Sequence, residues 1–228
     1  MLNTAVRHFS IHARVAVVGG GAGGVGVSSQ LANSGVFRPE DITVIDGNNT
    51  HYYQPGLTNT AGGVWSHSMI QRWLRRDMKS VLSPSVNWHK SNVASFDPSN
   101  NSLTCKDGET ITYDYLVVGT GLQLRYDFIP GATEALDDET CPVGSMYRYD
   151  YAMKMRQLRE NFKGGKAVFT LPQMPIKCGG APQKILYLSE HTFRTNKVRE
   201  NCDVHYYTST PAMFPVAKYC AEQEKLIE

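Results

Sequence analysis

Two short segments of this chain carry residue types that could do chemistry: a cysteine in a proline-rich loop and a run of closely spaced glycines. Cys178 stands between Lys177 and a Gly-Gly-Ala-Pro stretch that ends at Pro182. Since proline favours the first position of a helix, this pattern predicts a helix over 183–194. The positive end of that helix, with Lys177 and Lys184, would favour the thiolate, which is the nucleophilic form of cysteine. A buried, unreactive thiol is the alternative.

The glycines predict a dinucleotide-binding turn. An apolar run over 15–18 is suited to a buried parallel strand, and the G-x-G-x-x-G pattern begins directly after it. Such a turn lets the backbone approach a pyrophosphate, which then lies at the N-terminus of the following helix, here predicted over 23–32. A second strand, 42–45, ends at Asp46, whose carboxylate can accept hydrogen bonds from ribose hydroxyls. A glycine-rich structural turn is the alternative. The predicted cofactor-binding turn contains Gly19, Gly20, Gly21, Ala22, Gly23 and Gly24.

Composition limits the classes of protein to consider. The chain has 228 residues, of which 41% are hydrophobic and 19% charged, which suits one large or two small globular domains. A net charge of +2 gives no nucleic-acid signal, and five cysteines without C-x-x-C spacing predict neither a metal site nor a disulfide framework. Residues 1–13 contain arginine and serine but no acid, as a short mitochondrial presequence does, and a disordered tail is the alternative.

A second glycine turn follows the middle of the chain. After an aromatic loop at 51–57, the pattern predicts a basic helix over 69–82 and then three short strands, 86–89, 103–106 and 110–113. Such a meander inserted in a Rossmann unit is typical of FAD domains. The apolar run 113–118 then leads directly into Gly119, Thr120 and Gly121, which predicts a second close approach of backbone to the cofactor.

The remaining sequence predicts a second α/β unit without a nicotinamide site. Helices are expected over 149–162, 183–194 and 215–228, and strands over 166–171 and 203–207. No glycine fingerprint follows the strand at 166–171. Instead the sequence continues with a Pro-Gln-Met-Pro segment from Pro172 to Pro175, and prolines lack the backbone donors that would hold a pyrophosphate.

These motifs together resemble the flavoproteins with two dinucleotide-binding domains. More specifically, the sequence Lys-Cys-Gly-Gly-Ala-Pro-Gln-Lys from Lys177 to Lys184 is similar to the redox-cysteine motif of the eukaryotic sulfide:quinone oxidoreductases. The segments 51–55 and 115–121 resemble the same family, and the resemblance extends from Arg14 to the C-terminus. It implies an α/β fold with two Rossmann-like units, an FAD-binding domain over 14–145 and a degenerate second domain over 146–228, both incomplete.

The resemblance also implies an activity. A cysteine pair would face FAD, sulfide would attack one sulfur and leave a persulfide, and Cys178 would be one member of the pair. Electrons would pass through FAD to ubiquinone at the inner mitochondrial membrane, and a small thiol or sulfite would accept the sulfur. Lys184 would tune the thiol, Asp46 would bind the ribose, and Val93 would place backbone against adenine. The other implied FAD contacts are Gln54, Pro55, Gly119, Thr120 and Gly121.

The chain departs from the pattern of this family in its length. No residue in 1–228 matches the second redox cysteine, the late Gly-Asp motif or the C-terminal amphipathic region of the family. A fragment, a splice product and a degenerate paralogue are all compatible with this pattern. Two other functions stay open: a non-catalytic FAD-binding remnant, and a type II NADH:quinone dehydrogenase, which would carry a glycine fingerprint after Leu171.

Overall fold

The computed structural model of the protein describes residues 11–214 and 216–226. By its internal packing the chain divides into two units. The first runs to Tyr53 and resumes over Gln71–Gln123, and the second has Gln54–Ile70 and the chain from Leu124 onward. The first unit therefore contains the predicted FAD motifs, whereas residues 54–70 pack with the second unit. The predicted limits at 14–145 and 146–228 stay predictions as domain boundaries.

Ten β-strands and eight α-helices follow one another along the described chain. They are β1 (Ile11–Val18), α1 (Ala22–Asn33), β2 (Ile42–Ile45), β3 (Thr50–Tyr52), α2 (Pro55–Ala61), α3 (His67–Met69), β4 (Arg75–Asp77), α4 (Met78–Val81), β5 (Asn87–His89), β6 (Val93–Asp97), β7 (Ser102–Cys105), β8 (Thr110–Val118), α5 (Ala132–Asp137), α6 (Tyr149–Asn161), β9 (Gly165–Leu171), α7 (Ala181–Thr195), β10 (Cys202–Thr208) and α8 (Ala217–Glu224).

The first unit is built on a six-stranded sheet in the order β5-β2-β1-β8-β7-β6. The four strands from β5 to β8 in this order are parallel, and β8, β7 and β6 form an antiparallel meander. The Rossmann unit and an inserted meander are present as predicted, but the predicted first strand of the meander, 86–89, is instead β5, which pairs parallel with β2, and β6 takes its place in the meander. Residues 11–13 of the predicted presequence belong to β1 and pair with β8, and the rest of that segment lies outside the described residues.

Strand β1 lies at the centre of the sheet with both faces covered. Ala16 and Val18 pack into one apolar cluster with Ile45 and Leu103, while Val17 packs on the other face with its own cluster. Burial of both faces explains why the sequence of this strand is continuously apolar rather than alternating.

The predicted basic helix over 69–82 is wrong. A single π-helical turn over Ile70–Leu74 leads into strand β4, which pairs antiparallel with β3. Within the predicted range only Met69, at the end of α3, and the four residues of α4 are α-helical. The side chain of Asp77 accepts a hydrogen bond from the backbone N–H of Lys79 and so caps a new helix at that point. The pairing with β3 and this cap together replace the continuous helix.

The second unit contains a βαβ arrangement and further helices. Strands β9 and β10 are parallel, and α7 connects them. In β9 buried and exposed positions alternate, so that Phe169 is buried and Val168 is half exposed. Helix α2 packs against α6 and α7 within this unit. The predicted helix over 183–194 is present as α7, with Pro182 in its first turn.

Candidate functional site

The first glycine turn connects β1 to α1 and leaves no room for a side chain at its tightest point. Gly19 has a φ of +101°, and its N–H donates to the carbonyl of Ile45 at 2.9 Å. A Cβ added to Gly24 would lie 1.7 Å from the carbonyl oxygen of Gly19. The third glycine of the pattern is therefore required by the close packing of helix on strand.

The second glycine turn lies against the first. The N–H of Gly119 donates to the carbonyl of Val18 at 2.7 Å, and a Cβ added to Gly19 would lie 2.5 Å from the carbonyl oxygen of Gly119. Added Cβ atoms at Gly21, Gly23 and Gly121 would meet no atom of the described residues within 4 Å. The two turns thus form one backbone surface with an open side.

Asp46 links the end of β2 to the first glycine turn. Its Oδ2 accepts from the N–H of Gly20 at 2.6 Å, and its Oδ1 accepts from both the N–H and the side-chain amide of Asn48 at 2.7 and 2.8 Å. A carboxylate has about four lone-pair sites, so acceptor capacity is left for a ribose hydroxyl.

His51 is a contact of this turn that sequence reasoning missed. Its Nδ1 donates to the carbonyl of Gly20 at 3.0 Å. The sequence placed this residue in an aromatic loop at the edge of the sheet, and only the fold shows that its ring fixes the turn itself.

Val93 opens β6, in which it pairs with Cys105. The preceding residue, Asn92, lies beside Gly47, because a Cβ added to Gly47 would be 2.7 Å from the Asn92 side-chain nitrogen. The loop before Val93 therefore lies beside the residue that follows Asp46. The contact of Val93 with adenine stays a prediction.

These residues of the first unit fit a dinucleotide. Helix α1 has no acidic residue in its first turn, so the positive charge at its N-terminus is not offset there. Gly20 is buried, Gly21 caps the helix, and Gly21, Ala22 and Gly23 are exposed. Exposed backbone donors at a helix N-terminus are suited to a pyrophosphate. Thr120 and Gly121 are exposed beside this turn.

The second unit holds the candidate thiol. Cys178 is exposed and lies three residues before α7, and its carbonyl accepts from the N–H of Ala181 at 3.2 Å. Exposure and the nearby positive helix end are the conditions under which a thiol reacts. Lys184 is exposed on the first turns of α7.

The loop before Cys178 contacts the segment that precedes α2. The Nζ of Lys177 donates to the side-chain oxygen of Gln54 at 3.2 Å, and Pro55 begins α2. Burial lowers the pKa of Lys177. The structure thus brings the predicted residues Gln54 and Pro55 next to the Cys178 loop within one unit.

Tyr147 supports the Cys178 loop and was not found from the sequence. Its hydroxyl donates to the carbonyl of Cys178 at 3.0 Å. Burial, followed by the negative charge of a Cys178 thiolate, raises the pKa of Tyr147, so that the phenol stays protonated. A tyrosine in an irregular connector carries no sequence signal for this contact.

The other cysteines lie in different surroundings. All five are free thiols, and Cys178 alone among them is exposed. Burial, then Asp107 and Glu109, raise the pKa of Cys105 to about 11, which opposes formation of its thiolate. Cys202 and Cys220 are also buried, and Cys141 is half-buried. Within residues 11–214 and 216–226, no helix is both long and apolar enough to cross a membrane.

Comparison with known proteins gives one family and several relatives. Residues 13–162 match the family model described as pyridine nucleotide-disulphide oxidoreductase. The chain is 37% identical to the mitochondrial sulfide:quinone oxidoreductase of Schizosaccharomyces pombe over 93% of this chain and 49% of the relative. The Dictyostelium discoideum protein of the same name is 38% identical over 93% and 46%, and that of Mus musculus 33% over 95% and 46%. The chain thus spans about half the length of the curated relatives it matches.

Solved structures share the fold. The crystal structure of the Aquifex aeolicus sulfide:quinone oxidoreductase has a TM-score of 0.70 and 22% identity, covering 96% of this chain and 49% of that one. Plasmodium falciparum NDH2 has a TM-score of 0.62 and 12% identity over 96% and 46%. The predicted α/β fold with Rossmann-type units is confirmed. The predicted cofactor class is also confirmed, because proteins of the matched family are FAD-binding flavoproteins.

Proposed function

We propose an activity for this chain on one premise: it belongs to the pyridine nucleotide-disulphide oxidoreductase family. The activity is FAD-dependent oxidation of hydrogen sulfide, with electron transfer to ubiquinone and a persulfide at Cys178. Because the chain spans about half the length of its relatives, we assign to it the FAD cradle and one redox cysteine of such an enzyme.

The exposed Cys178 carries this proposal. It is the one exposed thiol of the chain, it precedes the N-terminus of a 15-residue helix, and Tyr147 and Lys177 hold the loop around it. An exposed thiol at a positive helix end is suited to nucleophilic sulfur chemistry. The relatives that are 33–38% identical are named as sulfide:quinone oxidoreductases.

Oxidation of sulfide and reduction of the quinone exchange the same number of electrons. Conversion of sulfide to the sulfane sulfur of a persulfide releases two electrons, and a quinone that becomes a quinol takes up two electrons and two protons. Bound FAD supplies the two-electron carrier between them. The two glycine turns hold its pyrophosphate, and Asp46 accepts from its ribose. Gln54, Pro55 and Val93 are proposed as further FAD contacts, and Lys184 as a positive charge that favours the thiolate.

The sulfur chemistry needs a two-electron oxidant, because sulfide and the thiol of Cys178 are both fully reduced. That oxidant would be a disulfide or sulfur-bridged pair, which a second thiol would complete, or bound FAD itself, which takes up the two electrons as the S–S bond of the persulfide forms. Cys105, Cys202 and Cys220 are buried, so we do not assign the partner thiol to any of them. We propose that a small thiol or sulfite then accepts the sulfane sulfur.

The proposed substrates indicate where in the cell the protein acts. A quinone is dissolved in a bilayer, and the similar relatives are named as mitochondrial. We therefore propose peripheral association with the inner mitochondrial membrane, and a presequence role for the part of residues 1–13 that precedes β1, since residues 11–13 pair with β8.

A type II NADH:quinone oxidoreductase is the second candidate. The Mycobacterium tuberculosis enzyme NdhA is 29% identical over 133 residues, which is 55% of this chain and 27% of that protein. Strand β9, however, is followed by Pro172 and Pro175, which lack the N–H groups that would bind a nicotinamide dinucleotide. Sulfide is therefore the favoured electron donor.

Absorbance spectroscopy tests the proposal. The purified chain, reconstituted with FAD, is titrated without oxygen first with sulfide and then, in a separate sample, with NADH. We expect sulfide to bleach the flavin band in the unmodified chain and in Cys141→Ser, and to leave it unchanged in Cys178→Ser.

Each other outcome has a definite meaning. A flavin band that sulfide leaves unchanged in the unmodified chain would support a non-catalytic FAD-binding remnant. Bleaching by NADH would support the dehydrogenase. Equal bleaching by sulfide in Cys178→Ser would refute the role of this cysteine.

A further inference from the structure

Three potential metal ligands lie close together in the first unit, away from both glycine turns in sequence. His89, Cys105 and Asp107 each offer one ligand atom, and these atoms all lie within 4.8 Å of one another. His89 ends β5, Cys105 ends β7, and Asp107 lies in the hairpin turn that follows. The three residues thus come from the end of β5 and from the end of β7 with its hairpin turn, two segments that the fold brings together.

Two of the three residues are shielded from solvent, Asp107 is partly exposed, and the surroundings carry negative charge. Cys105 is only 2% exposed, and the side chain of His89 is 16% exposed, with its Nε2 at 3.1 Å from Oδ2 of Asp107. The buried Oε2 of Glu109 has no hydrogen-bond partner among the described residues. Glu109 and Asp107 both act on the thiol electrostatically. A buried acceptor without a partner needs an explanation, and a bound ion is one.

We propose that His89, Cys105 and Asp107 bind one Zn²⁺ ion. Sulfur, imidazole nitrogen and carboxylate oxygen are all ligands of zinc, and bond lengths of about 2.0–2.3 Å in tetrahedral geometry place ligand atoms about 3.3–3.6 Å apart. His89 and Asp107, at 3.1 Å, are already at about this spacing, and a separation at the 4.8 Å limit of the cluster would need a contraction of roughly 1 Å. Binding releases the proton of the Cys105 thiol, and water or Glu109 takes the fourth position.

The proposed zinc site would connect two loops of the FAD-binding unit. The N–H of Lys106 already donates to the carbonyl of Asn92 at 2.7 Å, so the hairpin and the β5–β6 connection run side by side. The carbonyl of His89 also accepts from the N–H of Asp46 at 3.2 Å. Zinc at His89 would therefore stabilise the position of the proposed ribose-binding acid.

A second histidine–aspartate pair provides a matched comparison. His205 lies 2.9 Å from Asp203 in β10, with the histidine side chain 35% exposed and the aspartate 62%. This pair belongs to no cluster of three potential ligands among the described residues. If His89 and Asp107 formed only an ion pair, His89→Gln and His205→Gln would have the same effect on the zinc affinity.

Metal analysis on the whole chain tests the site. The protein carries Cys178→Ser throughout, so that the exposed thiol binds no metal, and it is reduced, stripped with a chelator and titrated with Zn²⁺ and, separately, with Co²⁺. We expect about one tightly bound ion per chain and a thiolate-to-cobalt charge-transfer band. His89→Gln and Asp107→Asn are expected to weaken zinc by at least the roughly 10–100-fold that loss of an outer-shell partner costs. His205→Gln is the control and should bind zinc as the parent does.

Two results would overturn the proposal. One is zinc binding that His89→Gln and Asp107→Asn leave unchanged, and the other is cobalt binding without a band that Cys105→Ser removes. Asp107 is 42% exposed, so Asp107→Asn is expected to fold, and circular dichroism checks this. Neither the flavin nor sulfide enters the measurement, so the result is independent of the proposed function.

Discussion

Gly24 shows how a single hydrogen atom in place of a side chain makes the proposed cofactor site possible. The carbonyl of Gly19 occupies the space where a Cβ of residue 24 would lie. Gly26, two residues further along α1, has no atom of the described residues within 4 Å of an added Cβ. Two glycines in the same helix therefore face opposite constraints. Gly24 is required by packing, whereas Gly26 lowers the stability of the helix and is not needed for any contact.

A pair of alanine substitutions separates these effects. We expect Gly24→Ala to lower the free energy of unfolding by about 1–3 kcal/mol, as overpacking does, and to weaken FAD binding. Gly26→Ala should instead raise stability by about 0.5–1 kcal/mol, because alanine loses less backbone entropy in a helix. Urea unfolding followed by circular dichroism, and flavin fluorescence titration, measure both. Equal effects of the two substitutions would contradict the packing argument.

Asp46 acts by charge rather than by size. Its carboxylate accepts from Gly20 at 2.6 Å and is proposed to accept from the ribose. Hydrogen bonds to charged groups contribute about 1.5–3 kcal/mol, so Asp46→Ala should weaken FAD binding by roughly 10–100-fold. The reactivity of Cys178 towards a chromogenic disulfide should not change. Asp114→Ala, which removes an exposed carboxylate of β8, is the control. Unchanged FAD affinity in Asp46→Ala would exclude this role.

At the scale of elements, one buried arginine connects three helices of the second unit. Arg159 of α6 is 5% exposed; its Nε donates to the carbonyl of Ala61 at the end of α2 at 3.2 Å, and its Nη1 donates to Thr192 of α7. Burial lowers the pKa of Arg159, which shows that its charge is held at a cost in solvation. The interaction is therefore structural, and it fixes the helix that begins at Pro55.

Removing the Arg159 guanidinium tests this connection. Arg159→Met keeps most of the side-chain volume but leaves the Ala61 carbonyl without its donor, so we expect a loss of about 1–3 kcal/mol of unfolding free energy. Arg194→Met breaks the ion pair with Glu190, but Arg194 is 68% exposed, and such a pair contributes under about 1 kcal/mol. Thermal unfolding of both variants measures the difference. A larger loss in Arg194→Met would contradict the assignment.

Elements whose own sequence determines them were predicted well. Strands β1, β2 and β9 and helix α7 follow from apolar runs, glycines and a proline. The errors lie in elements whose secondary structure is determined by contacts with segments distant in sequence. Strand β4 forms because β3 is available to pair with it, and β6 was missed because its edge position leaves it mostly exposed and without an apolar pattern.

The candidate sites follow the same rule. The two glycine turns and Cys178 carry local signals, so their residues were predictable. His51, Tyr147 and the His89–Cys105–Asp107 cluster depend on contacts between segments that are far apart in sequence, and single residues of these types carry no pattern.

At the scale of the whole molecule, the chain passes for the last time from the first unit to the second in a segment without regular structure. Unit one ends at Gln123, unit two resumes at Leu124, and residues 119–125 form neither helix nor strand. Leu122 in this segment is 58% exposed, and Phe128, a short distance further on, is 70% exposed. Both are accessible to chymotrypsin, yet only Leu122 adjoins the backbone proposed to contact FAD.

FAD binding should therefore protect the chain from cleavage after Leu122 and have little effect on cleavage after Phe128. At an FAD concentration 100 times its Kd, about 1% of the chain is free, so cleavage after Leu122 should slow by up to about 100-fold. Cleavage after Phe128 should slow far less, because no FAD contact is proposed there. Limited proteolysis with mass spectrometry, with and without FAD, measures both rates in one sample. If saturating FAD left cleavage after Leu122 unchanged, Gly119, Thr120 and Gly121 would not be FAD contacts, and the first glycine turn and Asp46 would hold the cofactor without the second turn.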